Sequence, residues 1–275
     1  MSATPARLHL PRYDSALSAF HTAFTPELEE AVRRYDLHPG VRVLDCPCGD
    51  GFYTGLFARH MTNGALVAAD LSHAYLERAR LSVPDPAPQV NLEFVSADSY
   101  QLPFGDASFD LVWCAQSLIS LDAPHRAIRE LARVLKPGGR VAVLETDEYH
   151  HLLLPWPLDL ELVVQKATRV ACERKYGSWE KFAQARALRT QFRAAGLAPA
   201  GKVTIVADRV APFGAPVREF LLRRFEHLLT FIAPELSTAE REELDHFTSA
   251  ESPESFLNRA DAELICLATI AHATK

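Results

Sequence analysis

The sequence lacks any uninterrupted apolar run of the roughly 20 residues that a membrane-spanning helix needs. Residues 1–11 also lack the apolar core of a secretion signal. Basic residues are not in excess, because 29 lysines and arginines stand against 35 acidic residues and leave a formal net charge of −6. We therefore expect a soluble, cytoplasmic protein that binds neither membranes nor nucleic acid.

Cysteine is scarce, and its five residues are scattered along the chain at positions 46, 48, 114, 172 and 266. An odd number of dispersed thiols is typical of a reducing compartment and not of a disulfide framework. Cys46 and Cys48 resemble half of a zinc site, but no second pair of Cys or His residues at zinc spacing accompanies them. We expect no bound metal.

Several enzyme motifs are also absent. The sequence has neither the G-x-S-x-G elbow of serine hydrolases nor the G-x-x-x-x-G-K-[ST] phosphate loop. Thr54 stands where a third glycine would complete a G-x-G-x-x-G dinucleotide motif. This weakens the interpretation of the protein as a nicotinamide-dependent dehydrogenase, which we keep as an alternative.

Residues 41–54 contain the most informative pattern that is present. A short apolar run ends at Asp45, Gly49 and Gly51 follow, and a helical apolar pattern begins at Phe52. The pattern predicts a strand, a glycine turn and a helix. Glycines let a ligand approach the main chain. A carboxylate beside the turn disfavours a phosphate and favours a cationic group, such as the ammonium of an amino acid.

Apolar runs and helical patterns alternate over roughly the first 150 residues, which predicts a doubly wound, Rossmann-like α/β fold. We expect a seven-stranded, mostly parallel sheet whose carboxyl ends share one rim, where such sheets bind ligands. The later segments break the alternation. We expect residues 13–35, 152–195 and 215–247 to form a helical lid over that rim.

Residues 43–51, Val-Leu-Asp-Cys-Pro-Cys-Gly-Asp-Gly, resemble the first motif of class I S-adenosylmethionine-dependent methyltransferases, V-L-D-x-G-C-G-x-G. Pro47 departs from it, because it occupies a glycine position and has no N–H. Residues 102–112 and 131–139 resemble L-P-F-x-D-x-S-F-D-x-V and R-V-L-K-P-G-G of the same family. These segments are similar to the ubiquinone/menaquinone-biosynthesis-like branch, whose members methylate small molecules.

The resemblance implies S-adenosylmethionine as the cofactor and a single methyltransferase domain spanning residues 1–275. Its parts would be an N-terminal helical cap (1–36), a cofactor-binding core (37–150), and lid helices with the last two strands (151–275). Asp70 would hold the ribose hydroxyls, as a carboxylate about 20 residues past the turn does in dinucleotide folds. Leu71 would pack on the adenine, while Asp98 and Ser99 would bind its polar edge. The predicted cofactor-binding residues are Tyr13, Asp45, Cys48, Gly49, Gly51, Asp70, Leu71, Asp98, Ser99 and Cys114.

Methyl transfer needs orientation, a dry pocket and in some cases a general base. We predict His150 as that base, against the alternative of a solvated loop histidine, and Gln116 as a residue that orients the acceptor. The acceptor is expected to be a small organic molecule, and Trp156, Phe213 and Phe231 favour a lipophilic or aromatic one. A homodimer is a further expectation. The alternative from another class is a non-catalytic cofactor-binding or scaffold protein on the same fold.

Overall fold

The structure, a computed structural model, describes residues 14–146 and 151–275. The helices are α1 (Asp14–Ala23), α2 (Thr25–Arg33), α3 (Phe52–His60), α4 (His73–Ser82), α5 (Pro124–Val134), α6 (Leu158–Tyr176), α7 (Gln184–Ala194), α8 (Ala215–Ile232) and α9 (Thr238–Thr248). The strands are β1 (Arg42–Asp45), β2 (Gly64–Asp70), β3 (Val90–Ser96), β4 (Phe109–Ala115), β5 (Leu135–Thr146), β6 (Leu152–Leu154), β7 (Ala198–Val210) and β8 (Glu263–Thr274).

The strands form one sheet in the order β3-β2-β1-β4-β5-β8-β6, and β7 also pairs with β8. Strands β1 to β5 pair in parallel, whereas β8 is antiparallel to β5, β6 and β7. The predicted Rossmann-like, mostly parallel α/β fold is therefore confirmed.

The described residues form eight strands, one more than the seven predicted. The additional strand, β6, pairs with residues 263–265 of β8, next to the stretch 268–274 that pairs with β5. A strand of only three residues is too short to show a period-two pattern, so the sequence could not distinguish it from a loop.

Helices cover both faces of the sheet, which explains why its central strands are almost wholly apolar. Residues of α1, α2, α3 and α8 share one buried cluster with one face of the sheet. The other face packs against α5 and α7 in a second cluster. Leu188 and Phe192 of α7 are buried there, so α7 is a sheet-covering helix and its predicted place in the lid is wrong.

Five helices of the predicted lid remain, namely α1, α2, α6, α8 and α9. A separate buried cluster joins α6, α8 and α9. Helix α1 packs on α8 through an edge-on ring contact of Phe20 with Phe220 at 5.6 Å, and Phe24, which follows α1, makes a second such contact with Phe220 at 5.3 Å. In the described part of the chain, no helix combines the length and apolar character needed to cross a membrane.

The two later motifs hold the loop between β3 and β4 against α5. The Arg133 guanidinium donates to the carbonyl oxygens of Leu102 and Phe104 and pairs with the carboxylates of Asp106 and Glu130. Glu130 in turn accepts from the Leu102 N–H at 3.0 Å. These motif residues are structural, because they fix the chain that leads into β4 and its polar carboxyl end.

Candidate active site

The predicted rim exists, because the carboxyl ends of β1, β2, β3 and β4 lie side by side. Asp45, the last residue of β1, is in register with Ala68 of β2 and Trp113 of β4. Asp70, the last residue of β2, is in register with Ser96 of β3. The glycine turn, Asp70, the loop after β3 and the segment after β4 therefore surround one region.

The glycine turn is built for close approach on two sides. Gly51 has φ +85°, and a Cβ there would lie 2.8 Å from the Ala79 Cβ of α4, so only glycine fits. Gly49 has φ +53°, but a Cβ there would have no neighbour within 4 Å. The Gly49 main chain thus faces open space beside Asp70, where a ligand can approach it.

Asp70 joins the turn to β2. Its Oδ2 accepts from the Gly49 N–H at 2.9 Å, and its Oδ1 accepts from the Ser72 N–H at 2.8 Å. Burial raises the pKa of Asp70, although these N–H groups act in the opposite direction. Each carboxylate oxygen keeps a further lone pair, so Asp70 can accept from ribose hydroxyls while it holds the turn.

Asp45 is only 1% exposed and lies behind the turn. Its Oδ2 accepts from the Thr54 hydroxyl at 2.6 Å, whereas its Oδ1 is buried without a partner among the described residues. Burial raises the pKa of Asp45 to about 7, with the Thr54 hydroxyl lowering it and the neighbouring Asp70 charge raising it. A buried carboxylate oxygen without a donor is an acceptor suited to a cationic ligand group.

The side predicted to bind adenine is open. The Leu71 side chain is 64% exposed, so its apolar surface is accessible to a ligand ring. Asp98 is exposed, and its Oδ1 accepts from the Tyr100 N–H at 2.8 Å. Ser99 is buried, and its hydroxyl lies 3.9 Å from the Cys46 thiol. The geometry brings the three predicted adenine residues to the ends of neighbouring strands, and their roles stay predictions.

Gln116 is the centre of a polar cluster after β4. Its Oε1 accepts from the Tyr53 hydroxyl at 3.1 Å and lies 2.7 Å from the His21 Nε2. The His21 ring stacks on Phe52 with the ring centres 4.1 Å apart. Gln116 has φ +51°, a left-handed conformation that non-glycine residues rarely adopt and that costs about 1–3 kcal/mol. Such strain is typical of functional positions.

The sequence analysis missed His21 and Glu145. His21 is buried among the apolar residues of α1. The one signal in the sequence is that a polar histidine stands within an apolar stripe. Glu145 is 2% exposed, and its Oε1 accepts from the Ser117 and Leu118 N–H groups at 3.2 and 2.8 Å. It thereby fixes the segment that carries Gln116.

Of the four other predicted residues, two are buried cysteines and two lie outside the described part of the chain. Cys48 is 6% exposed and Cys114 is fully buried, and burial raises the pKa of both thiols, so neither offers a thiolate. The main chain of the turn and the side chain of Gln116 are what these segments present to a ligand. Tyr13 and His150 lie outside the described residues, and their roles stay predictions.

The aromatic residues taken as signs of a lipophilic acceptor belong largely to packing. Phe213 is 7% exposed and stacks on Phe256. Phe231 packs with Tyr176 in the α6–α8–α9 cluster. The aromatic side chains that do lie next to the glycine turn are Phe52, Tyr53 and His21.

Part of the sequence matches known methyltransferases. Residues 44–143 match the family model described as a methyltransferase domain. Methyltransferase GfsG of Streptomyces halstedii is 37% identical over 117 residues, covering 42% of this chain and 42% of that protein. The ubiquinone/menaquinone biosynthesis C-methyltransferase UbiE of Idiomarina loihiensis is 39% identical over 107 residues, or 38% of this chain and 43% of that protein. The match thus spans less than half of each relative's length.

A solved structure extends the similarity of fold beyond that segment. The crystal structure of the Bacillus halodurans protein BH2331 superposes with a TM-score of 0.56 at 20% identity, covering 90% of this chain and 98% of that one. Residues 44–143 therefore match a methyltransferase domain, and the solved structure shows a similar fold over most of the chain.

The residues present fit S-adenosylmethionine, the cofactor that the resemblance to class I methyltransferases implies. The open space at Gly49 admits a ligand to the main chain, and the unpaired Asp45 Oδ1 lies behind the turn. Asp70 and the exposed Leu71 stand at the end of the next strand, as a ribose and an adenine require. A carboxylate-lined site of this kind suits a ligand that carries an ammonium, hydroxyls and a ring.

Proposed function

We propose that the protein transfers a methyl group from S-adenosylmethionine to a small organic molecule. The observation that carries the proposal is the pairing of Asp70 Oδ2 with the Gly49 N–H, next to the open face of Gly49. This contact combines a ribose acceptor and an approachable main chain in one site. The cofactor-binding residues of the proposal are Asp45, Cys48, Gly49, Gly51, Asp70, Leu71, Asp98, Ser99 and Cys114, with Tyr13 from the N-terminal segment.

When bound, the cofactor supplies an electrophilic methyl group on a sulfonium. The chain's own part is to bind, to orient and to exclude water. Asp70 and the Gly49 main chain hold the ribose side, and Asp45 offers its unpaired oxygen toward the amino acid side. Helix α1 lies against the site through the stacking of His21 on Phe52, which shields this side of the turn from solvent.

Gln116 is the residue of the described chain best suited to orient the methyl acceptor. Because its Oε1 is held by Tyr53 and lies next to His21, its amide N–H₂ group faces away from both. That amide makes no hydrogen bond to another described residue, so it is free to donate to an oxygen of the acceptor. His150 is proposed as a general base on its position in the sequence alone.

Two measurements test the proposal. Calorimetric titration with S-adenosylmethionine and with NAD should give binding of the first only. Mass spectrometry should then detect S-adenosylhomocysteine when the protein is incubated with a panel of small acceptors. The panel should include demethylated quinone precursors, since UbiE is named for ubiquinone and menaquinone biosynthesis. Binding without turnover on any acceptor would favour the scaffold alternative, and binding of NAD would favour the dehydrogenase.

The remaining parts of the proposal concern the whole protein. We expect it to work in the cytoplasm on a small-molecule substrate, without nucleic acid or a membrane as partner. We also propose that it forms a homodimer, in the form argued below.

A further inference from the structure

Strand β7 is a long open edge of the sheet. It spans 13 residues, and among the described strands it pairs only with β8. The opposite edge, β3, has 7 residues, and Arg80 of α4 donates to its Phe94 carbonyl oxygen. An open edge presents a row of N–H and C=O groups that can pair with another chain, and proteins usually shorten, charge or cover it.

One face of β7 is uncovered as well. Its odd-numbered side chains turn toward the core, where Ala207 is buried and Val203 and Ile205 pack against it. Its even-numbered side chains are exposed, including Val206 at 54% and Val210 at 68%. These exposed residues are Ala198, Ala200, Lys202, Thr204, Val206, Asp208 and Val210. The two valines are suited to pairing, whereas Lys202 and Asp208 oppose it unless each meets an opposite charge.

We propose that β7 pairs antiparallel with β7 of a second copy, about a two-fold axis at Ile205. In this register Lys202 faces Asp208 of the second copy, and by symmetry the same pair forms again at the other end. Between them Thr204 faces Val206 of the second copy. Opposite charges are a favourable cross-strand pair in antiparallel sheets, and valine and threonine are both residues that strands favour.

The charges select this register over its neighbours. Moving the axis to Thr204 places Lys202 opposite Val206, and moving it to Val206 places Lys202 opposite Val210. Both leave the lysine and the aspartate without their partners. A shift by one residue is excluded because it would bring exposed side chains to the buried face. The sequence of β7 is therefore self-complementary in one register, as a two-fold interface requires.

The two active sites would be independent in such a dimer. Strand β7 runs in the same direction as β5, because both are antiparallel to β8. Antiparallel pairing of two β7 strands therefore points the two ligand-binding rims to opposite ends of the joined sheet. Variants that break the pairing should keep the cofactor affinity of the wild type, so the proposal can fail or succeed apart from the proposed function.

Charge exchange in the full-length chain tests the pairing. Sedimentation velocity over about a hundredfold range of concentration should show a reversible dimer. Lys202→Glu and Asp208→Lys should each weaken it by about tenfold or more, since each creates like-charge pairs at both ends. The double variant Lys202→Glu/Asp208→Lys should restore it. Val206→Lys should also weaken it, because the new lysine would face Thr204 of the second copy and have no opposite charge there.

The control is Lys166→Glu, which makes the same charge change on an exposed position of α6 and should leave the dimer intact. Circular dichroism should show that every variant is folded. A wild type that stays monomeric would overturn the proposal. It would do so even if a variant that lacks residues 1–13 forms a dimer. A dimer that ignores the single charge changes, or that the double variant does not restore, would overturn it as well.

Discussion

The His21 Nε2 lies 2.7 Å from the Gln116 Oε1, across 95 residues of sequence. This contact joins α1 to the segment after β4. Because the glutamine oxygen can only accept, the histidine Nε2 must carry the hydrogen. Tyr53 donates to the same oxygen at 3.1 Å. Two donors on one oxygen fix the amide plane of Gln116, and they leave its N–H₂ group on the side away from His21 and Tyr53.

Replacement of His21 should therefore disturb the reaction more than the fold. We expect His21→Ala to lower kcat/KM for methyl transfer by about 10- to 100-fold, because a released Gln116 no longer holds the acceptor in line. The affinity for S-adenosylmethionine should change little. The measurement is steady-state formation of S-adenosylhomocysteine with an acceptor found in the panel.

A double-mutant cycle separates this role from simple packing. If His21 acts through Gln116, then His21→Ala should have little further effect in a Gln116→Ala background. His60→Ala is the matched control, because His60 is a surface histidine of α3 that pairs with Glu29 at 2.9 Å. Additive losses in the cycle would show that the two residues act separately.

Asp70 allows a test with a side chain of nearly the same size. Asp70→Asn removes the charge and replaces one acceptor oxygen with an N–H₂ group, so the turn loses one of the bonds from Gly49 or Ser72, and the bonds to ribose hydroxyls lose their charge assistance. We expect the affinity for S-adenosylmethionine to fall by about tenfold or more, which is about 1.4 kcal/mol. Calorimetry would measure it, with Asp85→Asn as a control in the loop after α4. Unchanged affinity would remove Asp70 from the site.

The adjacent histidines 150 and 151 form a natural pair of test and control. His151 has a structural partner, because its Nδ1 accepts from the Leu267 N–H at 3.3 Å on β8. If His150 is the general base, His150→Ala should reduce single-turnover methyl transfer by about 100-fold, within the range for such catalysis. His151→Ala should reduce it by only a few fold. Equal, small losses in both variants would mean that the reaction proceeds by orientation alone.

Local patterns in the sequence predicted the sheet and the rim well. The run up to Asp45, the turn at Gly49 and Gly51, and the placement of Asp70 follow from strand and glycine patterns that act over a few residues. Contacts between distant segments could not be read in this way. The bond of His21 to Gln116 depends on how α1 packs on α3 and α8, which no local pattern encodes.

The assignment of α7 failed for a related reason. Its apolar stripe predicted a helix with a face to bury, and the stripe is the same whether that face meets the sheet or another helix. Leu188 and Phe192 in fact pack with the β5 side of the sheet. The predicted lid is thus reduced to α1, α2, α6, α8 and α9, and its closure over the rim stays a prediction. The extra strand β6 was too short to predict. The hydrogen bond from the Thr54 hydroxyl to Asp45 could be seen only in the three-dimensional structure.

Asp45 should show a conflict between stability and ligand binding. Burial raises its pKa to about 7, above its ordinary value of 3.8, so the folded state holds this proton more tightly than the unfolded state. Its contribution to stability is therefore greatest at low pH, falls as the pH rises from about 4 to 7, and reaches its lowest level above pH 7. At pH 8 the folded protein carries a buried charge with an unpaired Oδ1.

Asp45→Asn removes that charge while leaving an oxygen that can accept from Thr54. We expect the variant to gain about 1–3 kcal/mol in the free energy of unfolding at pH 8. This is less than the raised pKa of Asp45 implies at about 1.4 kcal/mol per pKa unit, because the hydrogen bond from Thr54 to a neutral amide is weaker. The gain should shrink toward pH 5.

Urea unfolding at both pH values measures this gain. Asp110→Asn is the control, because the Lys136 ammonium and the Arg42 N–H hold the pKa of Asp110 below its usual range. If the Asp45 oxygen receives the cofactor's ammonium, the stabilised variant should also bind S-adenosylmethionine more weakly. A variant that is less stable at pH 8 than the wild type would show that Asp45 is not a strained, buried charge.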